Sequence, residues 1–295
     1  MKVAFLGLGD IGALMAAHLA RDPFDLVVWN RTASKAEGFV REHRARAAAT
    51  PADAVSDAEV VITCLPSSVE VEALLHGESG MLESLRKGAV LIDCTSGDPP
   101  TSRSIAAELG GRGIHFIDAP VSGGTTAAKA GTLTVMWGGE QSVFERVRPV
   151  MEAFGKKIVH AGPVGSGDAL KAVNNALLAV HILSAAEGLA VLVKAGVDPK
   201  VALEVINASS GRSNTSENLI PQRVLTRAFP RTFRLALLEK DIGIAAVLAA
   251  DLDAKTPLMA LTAKRFHEAR EMLGENADHV EAVKMVEEEN GVEIK

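Results

Sequence analysis

This 295-residue chain lacks several features that mark common protein classes. Its only cysteines, Cys64 and Cys94, are too few for a disulfide framework and are expected to be reduced. None of the eight histidines has a ligand-like spacing to a cysteine or another histidine, so nothing supports metal chemistry. The net charge is −6, and no run of lysine and arginine is long enough to form a basic stripe. We therefore expect no metal and no nucleic-acid partner.

The sequence also lacks the signals of export and membrane insertion. The segment Met1–Leu6 runs straight into glycines and is too short and strand-like for a signal peptide. The most apolar stretch, residues 169–193, is interrupted by five polar residues, which argues against a membrane span. These five are Lys171, Asn174, Asn175, His181 and Glu187. Since 47% of the residues are apolar, a sizeable core can form, and we expect a cytoplasmic protein without a membrane partner.

The first half of the chain has the pattern of an α/β fold. Short apolar runs alternate with alanine-rich helical stretches, and most runs are apolar throughout, as in strands covered by helices on both faces. This repetition predicts a parallel, doubly wound Rossmann-type sheet, with the direction of the last strands left open. The predicted strands are Lys2–Leu6, Asp25–Trp29, Glu59–Leu65, Ala89–Asp93, His115–Asp118, Leu133–Trp137 and Lys157–Ala161.

Beyond Gly167 the pattern becomes helical. Asp168 is a candidate N-cap for a helix that runs to Lys194 and spans about 40 Å. A helix so long and apolar should be packed on most of its surface. The further helical patterns are Pro199–Ser209, Asn218–Ala228, Leu235–Asp251, Pro257–Leu273 and Asp278–Glu289.

The chain is therefore predicted to have three parts. Residues 1–163 form a Rossmann-type domain, residues 164–194 a long interdomain helix, and residues 195–295 an all-helical C-terminal domain. The acidic run Glu287-Glu288-Glu289 near the end predicts a solvated helix face.

A glycine motif follows the first predicted strand. Gly7-Leu8-Gly9-Asp10-Ile11-Gly12 lies between that strand and a helical stretch, Ala13–Ala20. In this context the first glycine permits a tight turn, the second lets the backbone approach a pyrophosphate, and the third lets helix and strand pack closely. The helix N-terminus adds free N–H groups and a positive dipole end. The motif predicts a bound dinucleotide.

The residues after the second strand indicate which dinucleotide is bound. An acidic residue there would bind the adenosine ribose and repel a 2′-phosphate, but the sequence reads Asn30-Arg31-Thr32. Arg31 can pair with a phosphate, Asn30 and Thr32 offer hydrogen bonds, and Lys35 can add a second charge. We predict NADP, with NAD as a possible alternative.

Three further loops follow predicted strands. Leu65-Pro66 and the loop that contains Thr95 are expected at the edge where open α/β sheets bind ligands. Ser122-Gly123-Gly124 offers one hydroxyl and successive N–H groups, a nest that suits a carboxylate. This segment lacks a Gly-x-Ser-x-Gly elbow, which argues against a hydrolase nucleophile.

Polar residues near the start of the long helix predict a reaction site. Spacings of three and four place Lys171, Asn174 and Asn175 on one face of the helix. Polar groups this deep in an apolar helix need partners. Burial disfavours the charged ammonium and so suits a lysine to proton transfer.

Taken together, these motifs resemble the β-hydroxyacid dehydrogenase family, which includes 3-hydroxyisobutyrate dehydrogenases and semialdehyde and glyoxylate reductases. The similarity covers essentially the full length and rests on the glycine motif, Asp118–Gly124, Gly162–Asn175 and Lys240-Asp241. The stretch Ile206–Arg212 is similar to one in 3-hydroxyisobutyrate dehydrogenases. Ile11 stands where the family often has Met, and Thr95-Ser96 reverses the family's usual Ser-Thr.

The resemblance implies roles for several of these residues. Lys171 would be the catalytic acid/base, and Asn175, with Asn174 beside it, would bind or orient substrate. Ser122, Gly123 and Gly124 would hold the substrate carboxylate. Lys240 and Asp241 would border the active site near the cofactor, with Lys240 also reaching the substrate.

The expected reaction is hydride transfer between NADP and a small β-hydroxyacid, as in 3-hydroxyisobutyrate dehydrogenase. One alternative is a glyoxylate, succinic semialdehyde or tartronate semialdehyde reductase, which the NADP-type loop favours. A non-enzymatic nucleotide-binding scaffold is the other alternative, and Lys171 argues against it. The apolar helices and the family resemblance predict a homodimer or homotetramer.

Overall fold

The computed structural model describes all 295 residues, which form two compact units, Met1–Lys171 and Ala172–Lys295. The first unit contains one nine-stranded sheet. Its strands are β1 Lys2–Leu6, β2 Asp25–Trp29, β3 Arg46–Ala47, β4 Val60–Thr63, β5 Val90–Asp93, β6 His115–Asp118, β7 Val121–Ser122, β8 Leu133–Gly138 and β9 Gly155–Gly162.

The sheet confirms the predicted doubly wound topology. The strand order is β3-β2-β1-β4-β5-β6-β8-β7, with β9 beside β8, and strands β1 to β6 are all parallel. The chain winds outward from β1 to β3 and then returns to place β4 on the other side of β1. The carboxyl ends of β1 and β4 are therefore the topological switch point, where open α/β sheets bind ligands.

Helices cover both faces of this sheet. In β1, Val3 and Phe5 belong to the apolar core on one face, while Ala4 and Leu6 belong to the core on the other. This is why the strand is apolar throughout. The helices of the first unit are α1 Gly12–Leu19, α2 Ala33–Glu42, α3 Pro51–Val55, α4 Ser68–His76, a 3₁₀ turn Leu82–Ser84, α5 Pro99–Gly111, α6 Gly124–Ala130 and α7 Gln141–Phe154.

The end of the sheet differs from a simple parallel array. Strand β8 runs antiparallel to β6 and β7, whereas β9 pairs with β8 in parallel. The sequence pattern did not identify β3 or β7, because each has only two residues and gives no periodicity.

The second unit is all-helical, as predicted. Its helices after the long α8, Ser166–Lys194, are α9 Pro199–Asn207, a π-helix Thr215–Val224, α10 Leu235–Asp251, α11 Pro257–Leu273, a 3₁₀ turn His279–Ala282 and α12 Val283–Asn290. The bounds of α10 and α11 are those predicted. The expected α-helix Asn218–Ala228 is wrong: a π-helix that contains Pro221 occupies most of this segment.

Helix α8 requires two corrections. It begins at Ser166, so Asp168 lies in its first turn and is not the N-cap. The expectation that most of its surface is packed is also wrong. Only 39% of the most apolar 18-residue window of α8 is buried. By length and composition alone, this helix could also cross a membrane. Since Ile182, Leu183 and Leu189 belong to the core of the second unit, we describe it as a core helix with one exposed side.

The acidic run near the C-terminus is not uniformly solvated. Glu287 is buried and accepts two hydrogen bonds from Arg227, at 2.6 and 3.0 Å. It also accepts the backbone N–H of Ile294 at 2.8 Å. The carboxylate therefore fixes the chain end to the segment before α10.

Candidate functional site

The glycine motif forms a tight loop between β1 and α1. Gly7 has a φ of +107°, and its N–H donates to the carbonyl of Trp29 at 3.0 Å. A Cβ on Gly7 would lie 2.3 Å from the carbonyl oxygen of Cys64, and one on Gly12 would lie 2.0 Å from the carbonyl oxygen of Gly7. A Cβ on the exposed Gly9 would meet nothing within 4 Å. Two glycines thus serve close packing of the chain, and the third leaves open space beside the loop.

The loop after β2 lies against this motif. The Oδ1 atom of Asn30 accepts the N–H of Leu8 at 2.9 Å, and its amide donates to the carbonyl of Thr32 at 3.1 Å. Arg31 and Lys35 are exposed and have no ion pair. Thr32 precedes α2 without capping it by a side-chain bond. Two unneutralised cations therefore flank the start of α2, an arrangement that fits a phosphate.

The loops after β4 and β5 lie at the same edge and contact each other. Thr95 accepts the N–H of Leu65 through its hydroxyl at 3.1 Å, while Pro66 is exposed. Burial raises the pKa of the Cys64 and Cys94 thiols, so neither is a nucleophile at neutral pH. The parallel register places these loops, the glycine motif and Asn30 at one sheet edge. Asp10 and Ile11 lie between the glycines, exposed and half-buried respectively.

The Ser122-Gly123-Gly124 segment links β7 to α6. Ser122 is half-buried, both glycines are exposed, and their φ angles are +133° and +66°. Positive φ values at successive glycines turn consecutive N–H groups toward one concave side. The segment is therefore able to hold a small anion.

Asp118, at the end of β6, holds the N-terminus of α8. Its Oδ1 accepts the N–H of Gly165 at 2.8 Å, and its Oδ2 accepts the N–H of Asp168 at 3.0 Å. Asp118 thus takes the capping role that the sequence assigned to Asp168. A Cβ on Gly138 would lie 2.5 Å from Asp118 Oδ1, so only glycine fits there.

Three buried carboxyl groups in the first unit have altered acidity. Burial raises the pKa of Asp118 although backbone N–H groups oppose the shift. Burial and then the nearby charges of Asp118 and Asp93 raise the pKa of Asp168 well above its usual value. Burial also raises the pKa of Asp93, against hydrogen bonds from Thr95 and Thr63. These groups were not among the predicted site residues. The sequence signal for Asp93 and Asp118 was an acidic residue at the end of an apolar strand, and Asp168 was predicted only as a helix N-cap.

Lys171 and the two asparagines differ in burial. Lys171 is 9% exposed and Asn175 is 3% exposed. Asn174 is exposed and donates from its amide to Asn175 Oδ1 at 3.1 Å. The expectation that all three polar groups lie deep is therefore wrong for Asn174.

Within the second unit, Asp241 connects the other predicted residues. It is 1% exposed, and its Oδ2 accepts the amide N–H of Asn175 at 2.6 Å. Its Oδ1 lies 2.9 Å from the ammonium of Lys240, which is partly exposed. Asp241 therefore orients Asn175 through a hydrogen bond and attracts Lys240 as an ion pair, while its Oδ1 accepts no hydrogen bond.

Comparisons with known proteins agree with this arrangement. Residues 2–162 match the NAD-binding domain family of 6-phosphogluconate dehydrogenase. Residues 165–286 match a family described as NAD-binding of NADP-dependent 3-hydroxyisobutyrate dehydrogenase. The chain belongs to the β-hydroxyacid dehydrogenase family.

Relatives within this family differ in substrate. A 2-(hydroxymethyl)glutarate dehydrogenase of Eubacterium barkeri is 34% identical over 100% of this chain and 97% of that protein. A 3-hydroxyisobutyrate dehydrogenase of Pseudomonas aeruginosa is 38% identical over 90% of each chain. The structure of a Mycobacterium tuberculosis 3-hydroxyisobutyrate dehydrogenase with L-serine has a TM-score of 0.89 and 29% identity, covering 97% of this chain and 98% of that one.

Membership in the β-hydroxyacid dehydrogenase family establishes the type of chemistry. The protein is an NAD(P)-dependent oxidoreductase acting on CH–OH groups, with a small substrate. It is therefore an enzyme, and the alternative of a nucleotide-binding scaffold is wrong. The open space at Gly9 and the unpaired Arg31 and Lys35 fit the dinucleotide that this family binds.

Proposed function

We propose that this β-hydroxyacid dehydrogenase oxidises a small 3-hydroxyacid of the 3-hydroxyisobutyrate type with NADP. One observation carries the proposal: the family's position for an acid/base is occupied by Lys171, 9% exposed, in the second turn of a helix whose first turn is fixed at the carboxyl edge of the sheet. A surface lysine would not be held in this way.

The proposed mechanism assigns one task to each group. The bound nicotinamide would supply or take up the hydride of the hydroxyl-bearing carbon. Lys171 accepts the hydroxyl proton during oxidation and returns it during reduction. Ser122, Gly123 and Gly124 hold the substrate carboxylate. Asn175, which Asp241 orients, binds polar groups of the substrate. Lys240, which pairs with Asp241, binds the substrate as well.

The preference for NADP rests on the loop after β2. Arg31 and Lys35 are exposed, close in sequence and without an acidic partner. A 2′-phosphate would neutralise them, whereas the ribose hydroxyl of NAD would not. Thr32 and Asn30 offer hydrogen bonds beside them. The glycine motif, with Leu8, Asp10 and Ile11 between its glycines, would bind the pyrophosphate. The remaining proposed cofactor contacts are Leu65, Pro66, Thr95, Lys240 and Asp241.

A panel assay in both directions tests the substrate. The oxidative panel contains 3-hydroxyisobutyrate, L-serine and 2-(hydroxymethyl)glutarate, and the reductive panel contains glyoxylate, succinic semialdehyde and tartronate semialdehyde. We expect the highest kcat/KM with 3-hydroxyisobutyrate and NADP. Lys171→Ala should lower kcat by about 10²–10⁴ while the Kd for NADPH is retained. Near-full kcat in that variant would refute the role of Lys171.

A reductase of small semialdehydes or glyoxylate is the second candidate. The unpaired Arg31 and Lys35 favour it, because NADPH usually serves reduction. A higher kcat/KM in the reductive panel than in the oxidative one would select this candidate.

We further propose that the protein is a cytoplasmic homodimer or homotetramer. Leu177 and Val191 on α8 and Leu258 and Leu261 on α11 are 45% to 65% exposed, and a second subunit would cover these apolar side chains. We also propose that the chain is divided functionally into a cofactor-binding domain (1–163), a long helix (164–194) and a helical domain (195–295).

A further inference from the structure

The first turn of α8 is held by a second carboxylate besides Asp118. Asp168, 1% exposed, lies in this turn, and its Oδ2 accepts the hydroxyl of Ser102 at 2.6 Å. Its Oδ1 accepts the N–H of Gly97 at 3.3 Å. Ser102 is 2% exposed and belongs to α5. The side chain of Asp168 thus ties the start of α8 to the segment that follows β5.

The two carboxylates connect the start of α8 to different elements. Asp118, on β6, accepts the backbone N–H groups of Gly165 and Asp168. The side chain of Asp168 joins the same turn to α5 through the hydroxyl of Ser102. Because the turn is anchored to two elements, its translation and its rotation are restricted more than the contacts with Asp118 alone would restrict them.

The partner of Asp168 is itself anchored. The N-terminus of α5 is capped by Asp98, whose carboxylate accepts the N–H of Thr101 at 3.0 Å. The backbone N–H of Asp98 donates to the hydroxyl of Ser68, at the start of α4, at 2.9 Å. Side-chain hydrogen bonds therefore link the first turns of α4, α5 and α8 at one edge of the sheet.

Lys171 follows Asp168 by three residues and lies on the same side of the helix. A rotation of the first turn of α8 would move Lys171 directly. We propose that Ser102 and Asp168 are a positioning pair, which sets the rotation of α8 and thereby the placement of Lys171 for proton transfer. The inference rests on the proposed function of Lys171, and nothing in it requires Ser102 or Asp168 to touch substrate or cofactor.

The test compares three variants with a matched control. Ser102→Ala removes the hydroxyl, Asp168→Asn keeps the shape of the side chain, and the third variant combines them. Ser104→Ala is the control, because Ser104 is an exposed serine on the same helix whose side chain makes no hydrogen bond. The readouts are kcat, KM, the Kd for NADPH, the thermal midpoint and the pH profile of kcat.

A positioning role gives a specific result. Each single variant lowers kcat by about 10- to 100-fold, since small displacements of a catalytic group have effects of this size. The Kd for NADPH stays near the wild-type value, the pH profile of kcat shifts, and the double variant is no slower than the slower single variant. Wild-type kcat in both single variants, additive losses, or losses that follow only the unfolded fraction would overturn the proposal.

A second readout does not depend on turnover. Lys171 is acetylated with acetic anhydride in the absence of substrate, and its modification is measured by peptide mass spectrometry relative to the exposed Lys35. We expect several-fold faster modification of Lys171 in Ser102→Ala and Asp168→Asn than in wild type or Ser104→Ala. If the wild-type protein turns over none of the panel substrates, the proposed function fails, and the labelling alone then tests the positioning role. Faster modification of Lys171 in the variants supports that role, and an unchanged rate overturns it.

Discussion

At the scale of the residue, the buried acids of the first unit behave unlike surface carboxylates. Asp93, Asp118 and Asp168 are each at most 2% exposed, and burial raises the pKa of all three. A raised pKa in the folded state means that the folded protein binds more protons than the unfolded chain over the interval between the two pKa values. The stability contributed by such a group is present below its unfolded pKa and is lost as the pH rises toward the folded value.

We predict that Asp168→Asn has a pH-dependent effect on stability. The amide never ionises, so the variant avoids the cost of a buried charge that the wild type meets as the pH rises. The free energy of unfolding of the variant minus that of the wild type should therefore increase between pH 4 and pH 8. Urea unfolding at several pH values measures it, and a difference that does not change with pH would contradict the raised pKa.

A second prediction at this scale concerns Arg31. Arg31→Ala removes a cation that has no partner within the chain, so the fold should be unaffected. The affinity for NADPH should fall by about tenfold or more, because a hydrogen bond to a charged group contributes about 1.5–3 kcal/mol, while the affinity for NADH should change little. Fluorescence titration with both cofactors measures this. Arg41→Ala, at an exposed arginine near the end of α2, is the control.

At the scale of the element, the glycine loop separates folding from binding. The motif is one loop between β1 and α1, yet its glycines meet different surroundings. Gly12 faces the carbonyl of Gly7, and Gly9 faces open space. Substitution by alanine should therefore have different consequences at Gly9 and at Gly12.

We predict that Gly12→Ala disrupts the fold and Gly9→Ala disrupts binding. A Cβ on Gly12 would lie 2.0 Å from the Gly7 oxygen, and overpacking of this kind costs about 1–3 kcal/mol or more. Gly9→Ala should keep the thermal midpoint but raise the Kd for NADPH, since its methyl group would enter the space of the pyrophosphate. Gly38→Ala on α2, with open surroundings, is the control: it should leave the Kd for NADPH unchanged and should not lower the thermal midpoint, because alanine is the better helix former. Unchanged NADPH affinity in Gly9→Ala would exclude this cofactor position.

Elements with strong local signals were predictable, whereas contacts distant in sequence were not. The bounds of α10 and α11 were predicted because α10 is an apolar run and α11 begins at Pro257 and ends before Gly274. The capping of α8 by Asp118 joins residues 47 and 50 positions apart, so local sequence indicated the nearer Asp168 instead. Glu287 was predicted to be exposed to solvent because its partner, Arg227, lies 60 residues away in the sequence.

The candidate site was predictable to a similar extent. Motifs that consist of a loop after a strand, such as the glycine motif and Asn30, were found where the pattern placed them. Ser102 was missed because a lone serine on an amphipathic helix gives no signal until its partner is known.

At the scale of the whole molecule, the exposed apolar residues of the second unit predict self-association. Leu258 and Leu261 on α11 are 59% and 56% exposed. Light scattering coupled to size exclusion should give a mass at least twice that of one chain, and Leu258→Glu should lower it. Val69→Glu, on an equally exposed valine of α4, is the control and should leave the mass unchanged. A wild-type mass equal to one chain would refute the proposed oligomer.

The capping of α8 by Asp118 limits how this protein can be divided or recombined. A fragment that ends at residue 163, where the sheet is complete, would lack Gly165 and Asp168, whose N–H groups donate to the Asp118 carboxylate. Loss of these donors leaves a polar group at the sheet edge without its partners, which is destabilising. The nucleotide-binding half is therefore not a transferable module at its sheet boundary: a chimaera that exchanges helical halves should keep the first turn of α8 from the same parent as β6.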